Sequence, residues 1–294
     1  MITHIILENV ELNKKIEIGN DRSGYVLGLV DFGQAPAVQN TTNYINLVGA
    51  QVMSTRLESR SINIKGAIFD IGSSVSDKKR ELNRIVNPNH TLAIQYKKYK
   101  IYAKANSSIA YATERIKNGK NFCEFLIQCT AFDPVFRRIK EEVVCNSNIG
   151  PISLFPLQIP SSKGICFGKL AKISVANVPN DGDVDTGFVI RFIAEEGNVI
   201  NPIIINNKTG DSIQIIANMD QGDIIEVSTV PGNKYAKYIR GKSEVDIFKN
   251  ITKNSTLSMT LGAGINNISV SAAKNESNLN SVIKFTPLYL EVQE

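Results

Sequence analysis

Two histidines, His4 and His90, and four cysteines, Cys123, Cys129, Cys145 and Cys166, are the side chains of this 294-residue sequence best suited to hold a metal or attack a carbonyl. A zinc site wants such groups in close pairs. No Cys-x-x-Cys pair occurs, and no histidine stands near a cysteine. Cys123 and Cys129 fall in the apolar run FCEFLIQCTAF, where their even spacing puts both on one face of a strand, so they read as small buried apolar side chains. His4 lies in a polar–apolar alternation that predicts an N-terminal strand, and His90 follows the turn signal NPN. Neither gathers a Ser-His-Asp set. The acid pairs Asp181 with Asp183 and Glu195 with Glu196 sit in Gly- and Asn-rich turns, where carboxylates favour solvated loops. GDVD resembles a fragment of a calcium loop but lacks the full spacing and the distal bidentate glutamate. The expectation is no catalytic residue, no metal and no cofactor.

Phosphate-binding chemistry fares no better. GLVDFG has no helix pattern after it, and LGAGINN lies between two alternating segments, where a hairpin turn explains its glycines. The formal charge is only +5, and the basic residues of KKR, KKYK and FRRIKEE are interspersed with acids. That describes a solvated surface, so no sequence-specific nucleic-acid partner is expected. No apolar segment approaches the ~20 residues of a membrane-spanning helix. MITHIILENVELNKK lacks the marks of a signal peptide, so synthesis in the cytoplasm and no membrane partner are expected.

What remains is a chain of strands. TNYINLVGAQV and SRSINIKGAIFD alternate as half-buried strands do. SSVSDKKRELNRIVNP predicts one amphipathic helix, capped by Ser74 with Asp77, carrying the stripe Leu82, Ile85 and Val86, and stopped by Pro88. TLAIQYKKYKIYAKA, SIAYATERI and FCEFLIQCTAF then read as three strands of a β-meander, the last two joined through the Asn-Gly of KNGKN. Asp133-Pro134 ends that pattern, and the charged, then Pro- and Ser-rich stretch after it reads as a connector that includes one bridging strand. The remainder holds only short strands and turns, as in an antiparallel sandwich. In FVIRFIA the residues Phe188, Ile190 and Phe192 share the core face. The expected limits are 1–140 for a first domain, 141–165 for the connector and 166–294 for a second domain.

The order RSINIKGAIF, LNRIVNP, IQYKKYKIYAKA and FLIQCTAFDPVF resembles the N-terminal belt domain of phage distal tail proteins, the Dit family of long flexible-tailed phages. The series NVPNDGDVDTGFVIRF, NPIIINNKTGDSIQI, GDIIEVSTVPGNK, LGAGINNISV and FTPLYLEV is similar to that family's C-terminal galectin-like sandwich. The resemblance spans nearly the whole chain and implies a mainly β protein, with a sandwich-like belt carrying one helix and a meander, followed by a galectin-like antiparallel sandwich. It implies a structural, non-enzymatic part of the virion tail tip: a homohexameric ring that joins the major tail tube protein to a tail-associated, lysin-like baseplate hub protein. In some such phages it also holds a receptor-binding protein, and genome DNA passes through the channel.

An open sheet edge is a hazard in a monomer but is paired in a closed ring. Tyr96, Tyr99 and Tyr102, alternating with lysines, are the expected ring-interface residues. Two other readings stand beside this one: a carbohydrate-binding adhesin using Tyr235, Tyr238 or Tyr289 as a platform, and the equivalent hub of a contractile or headless tail-like particle.

Overall fold

The computed structural model describes residues 4–19, 23–44, 48–71, 73–114, 116–146 and 175–292. Residues 147–165 of the expected connector, Cys166 and the side chain of Cys145 lie outside the described residues. The chain is mainly β, with antiparallel sheets and one α-helix among the described residues. It divides into two compact units, Met1–Ile139 with Tyr289–Glu294, and Lys140–Leu288.

The first unit contains β1 (Ile5–Asn9), β2 (Lys14–Ile18), β3 (Tyr25–Asp31), β4 (Ala37–Thr42), β5 (Gln51–Leu57), β6 (Arg60–Phe69), α1 (Val75–Ile85), β7 (Leu92–Tyr96), β8 (Tyr99–Ala105), β9 (Ala110–Tyr111), β10 (Phe122–Ala131) and β11 (Phe136–Arg138). Its main sheet runs β2-β1-β7-β8-β10-β6-β3. Strict alternation along β6 and β10 turns Ile62, Ile64, Ile68, Cys123, Phe125, Ile127 and Cys129 into the core. Phe125 stands opposite Gly66. A Cβ there would lie 2.6 Å from the Phe125 ring and 2.5 Å from the Val26 carbonyl, so only glycine lets these strands approach so closely.

Helix α1 follows its local code. Ser74 Oγ accepts from the Asp77 amide at 3.2 Å and donates to the Asp77 carboxylate at 2.7 Å, while Leu82, Ile85 and Val86 are buried. Two polar clamps fix it to the sheet. The Tyr25 hydroxyl donates to the Lys78 carbonyl and lies 3.0 Å from Glu81, and Lys78 Nζ donates to the Ser23 carbonyl at 2.7 Å. At the other end buried Asn9 donates to the Ile85 carbonyl at 2.9 Å, which satisfies a helix-terminal acceptor.

Three readings change in this unit. TLAIQYKKYKIYAKA is a hairpin of two strands, β7 and β8, because Lys97 takes the left-handed φ of 50° and Tyr96 pairs with Tyr99. SIAYATERI contributes only the short β9. Of TNYINLVGAQV, Thr42 ends β4 and Gln51 and Val52 open β5, with Gly49 at φ 92° before them, while residues 45–47 lie outside the described residues. Beyond periodicity altogether, the C-terminal residues complete this unit. Tyr289 is buried with its ring edge-on to Tyr99, 5.1 Å between centroids, and Val292 packs on the same core.

The second unit contains β12 (Glu142–Asn146), β13 (Val175–Asn180), β14 (Phe188–Ala194), β15 (Val199–Asn206), β16 (Ser212–Gln214), β17 (Asn218–Met219), β18 (Ile224–Ser228), β19 (Tyr235–Arg240), β20 (Ser243–Asp246), β21 (Gly264–Lys274) and β22 (Leu279–Phe285). One sheet runs β12-β22-β14-β18-β19-β20 and the other β13-β21-β15-β16, with β17 on β15. Phe188, Ile190, Phe192, Ile225 and Ile283 from the first sheet meet Val178, Ile204, Ile268 and Val270 from the second in one core, which makes an antiparallel sandwich. Asn266, 1% exposed, donates to the Gly262, Gly264 and Val178 carbonyls and accepts from the Gly262 amide, so the turn in LGAGINN is held by a side chain.

Candidate assembly surfaces

The groups capable of chemistry are dispersed. Among the described residues no three His, Cys, Asp or Glu side chains come together as a metal site would require. His90 shares a 3.0 Å hydrogen bond with Asn9 beside the end of α1, and His4 stands 3.7 Å from Glu17. Cys123 and Cys129 are fully buried, and burial pushes the Cys129 thiol up to about 12, far from a reactive thiolate. Asp181, Asp183, Glu195 and Glu196 are exposed and lie outside strands.

The tyrosines weighed as sugar platforms are committed elsewhere. Tyr235 donates to Glu226 at 2.7 Å, and the same carboxylate takes Nε–H of Arg191. Tyr238 donates to Asp223 at 2.5 Å and lies 3.1 Å from the Asn218 carbonyl. Arg240 grips Asp223 through Nε at 2.9 Å and Nη2 at 2.6 Å and reaches Asp220 at 2.8 Å. The Arg240 hydrogen bonds hold the Asp223 carboxyl down to about 2 despite its burial. Tyr289 lies in the core of the first unit.

Surface features suited to assembly concentrate in the first unit. The β4–β5 hairpin forms a two-stranded sheet of its own, exposed over all of β4 and up to Arg56 in β5, and Val38, Val52 and Met53 present 40–61% of their surface. The two edges of the main sheet differ in kind. β2 turns Lys14, Lys15 and Glu17 outward, the usual guard against edge pairing. β3 reads YVLGLVD, uncharged until Asp31, with Val26 40% and Leu29 51% exposed and a bulge between Leu27 and Leu29. A groove of about 630 Å³ runs beside it, lined by Val26, Gly28, Leu29, Ala67, Ala110 and Phe125 among others.

The three tyrosines expected at an interface do not share a face. Tyr96 and Tyr99 stand opposite each other across the β7–β8 turn and are buried, whereas Tyr102, of opposite parity in β8, is 36% exposed between Lys100 and Arg137, whose cationic groups lie 5.3 and 5.8 Å from its ring. A spacing of three cannot keep one face of a strand, and the turn at Lys97 splits the run. The hairpin and the β3 edge escaped sequence reading, although the missing charge in YVLGLVD was a usable signal.

Residues 14–128 match the family described as phage tail protein RIFT-related domain. No sequence among curated proteins matches the chain. Among solved structures the chain is similar to the Dit protein of phage SPP1, described as a paradigm of the hub adsorption apparatus in phages infecting Gram-positive bacteria. The TM-score is 0.65 at 12% identity, over 97% of this chain and 98% of that one. It is also similar to a chain of the phage P2 baseplate in its activated conformation with calcium, at TM-score 0.51 and 12% identity over 97% of each chain. Residues 14–128 thus carry the phage tail RIFT-related domain, and the chain as a whole shares the fold of the SPP1 Dit protein, which is the fold that the resemblance drawn from the sequence implies.

Proposed function

We propose that the chain is a structural component of a phage tail tip, a distal tail protein whose copies close into a homohexameric ring through the first unit. The ring is a hub between the tail tube and a tail-associated baseplate protein, with a channel that passes DNA, and it works without catalysis in the assembled virion. The observation that carries this reading is the β4–β5 hairpin with the neighbouring apolar β3 edge. A solitary two-stranded hairpin is at best marginally stable in water, so an exposed one carrying Val38, Val52 and Met53 is completed by a neighbour. Hairpin and edge are different surfaces of one chain, so contacts between copies are heterologous and close by rotation into a ring. Tyr102 is the one expected interface tyrosine whose ring is available, and we assign it to that contact.

The similarity to the SPP1 Dit protein and to the P2 baseplate chain supports the tail tip as the setting. Sugar binding has no comparable support, since the Tyr235 and Tyr238 hydroxyls are bonded to Glu226 and Asp223 of the same chain and Tyr289 is buried. Native mass measurement of the purified chain tests the proposal. The expected species is a discrete ring of six, lost when residues 38–56 are replaced by a short turn while both units keep their folds. A chain that stays monomeric at every concentration, alone and with the end of a tail tube, refutes it.

A further inference from the structure

Arg60 is a buried cation with too few partners. It is 2% exposed, its Nη2 donates to the Leu290 carbonyl at 2.5 Å, its guanidinium stacks 4.7 Å above the Phe136 ring, and its Nε–H is buried without an acceptor. Leaving a donor of a buried guanidinium unpaired is costly. Beside it lies a cavity of about 370 Å³ whose walls include Arg60, Tyr96, Phe136, Asp31, Glu291 and Val292. Of the two acids there, Asp31 already accepts the Gly33 amide at 2.8 Å in a local turn. Glu291 is exposed, and burial pushes the Arg60 guanidinium below its usual value while the Glu291 charge opposes that shift.

We propose that Tyr289–Val292 is a latch, closed on the first unit when the Glu291 carboxylate turns into this cavity and pairs with Arg60. The fork of the guanidinium, oriented by Phe136, suits a carboxylate. Tyr289 and Val292 are the apolar anchors on either side of the ion pair. Lys140–Leu288 lies in sequence between the two parts of the first unit. A released latch therefore leaves that long segment tethered by one chain crossing instead of two.

Hydrogen exchange on the full chain tests the latch, read on peptides covering Leu290–Val292 and, as control, on those covering β6 and β10. Glu291→Gln keeps the size of the side chain and removes its charge. The expected result is exchange about tenfold faster in the C-terminal peptide, the scale of one charge-assisted hydrogen bond, with β6 and β10 unchanged. In an Arg60→Met background Glu291→Gln should add nothing. Unchanged exchange in Glu291→Gln overturns the latch, and so does an undiminished Glu291→Gln effect in the Arg60→Met background. If Arg60→Met does not fold, the single Glu291→Gln measurement decides.

Discussion

Replacing Asp223 by asparagine tests whether one carboxylate holds the β18–β19 pair of the second unit. Asp223 is 3% exposed and accepts from Arg240 twice, from the Tyr238 hydroxyl and from the Asp220 amide. Its carboxyl sits at about 2 against an ordinary 3.8. At 1.36 kcal/mol per pH unit that difference is worth about 2 kcal/mol of stability. The folded value is the lower one, so the contribution is complete above pH ~4 and declines as pH falls toward 2, with about 1 kcal/mol gone by pH 3. Urea unfolding of the full chain at pH 6 and pH 3 reads this, with the transition of the second unit assigned by hydrogen exchange of β18 and β19. Asp223→Asn should lose about 2 kcal/mol at pH 6, and the gap to the unaltered protein should shrink by about 1 kcal/mol at pH 3. Equal gaps at the two pH values would show that the network does not depress the carboxyl and refute the reasoning.

In the first unit, Gly66→Ala forces a Cβ against the Val26 carbonyl and the Phe125 ring, and a loss of about 1–3 kcal/mol in urea unfolding is expected. Tyr25→Phe deletes the hydroxyl that donates to Lys78 at the sheet end of α1. It should cost about 1 kcal/mol and speed exchange of the α1 amides before those of β6. Equal acceleration in both elements would mean that the hydroxyl does not dock the helix.

The parts of the fold that were legible are those whose cause is local. Ser74, Asp77 and the stripe Leu82, Ile85 and Val86 are close in sequence, and α1 forms where they say. Phe188, Ile190 and Phe192 alternate, and they are the core face of β14. The misreadings share a different cause. Lys97 enters left-handed φ without being Gly or Asn, so nothing in IQYKKYKIY marks the turn, and Tyr96 and Tyr99 went to a surface they do not occupy. Tyr289 was counted with the second domain because its partner Tyr99 is far away in sequence and the contact leaves no periodic trace.

The candidate surface was legible only as a principle, that open edges must be covered. Which edge is open follows from strand order, and that order is nonlocal: β3 is an edge because β6 has β10 on its other side, although β10 begins more than fifty residues later. Once the order is known, the charge contrast between β2 and β3 becomes meaningful. KKIEI repels a neighbouring strand, and YVLGLVD does not. An unguarded edge on one side only of the main sheet of the first unit has a specific consequence for assembly. Two copies that paired β3 with β3 would satisfy each other and stop at a dimer. In the proposed ring the exposed hairpin is a different partner surface for the β3 edge, and a contact between unlike surfaces would leave each added copy with one of each still free until a circle closed. Replacing Val26 and Leu29 by lysine places on β3 the guard that β2 already has. Ring formation in native mass measurement should then fail while hydrogen exchange in β6 and β10 stays as before, and an intact ring would mean that the contact lies elsewhere.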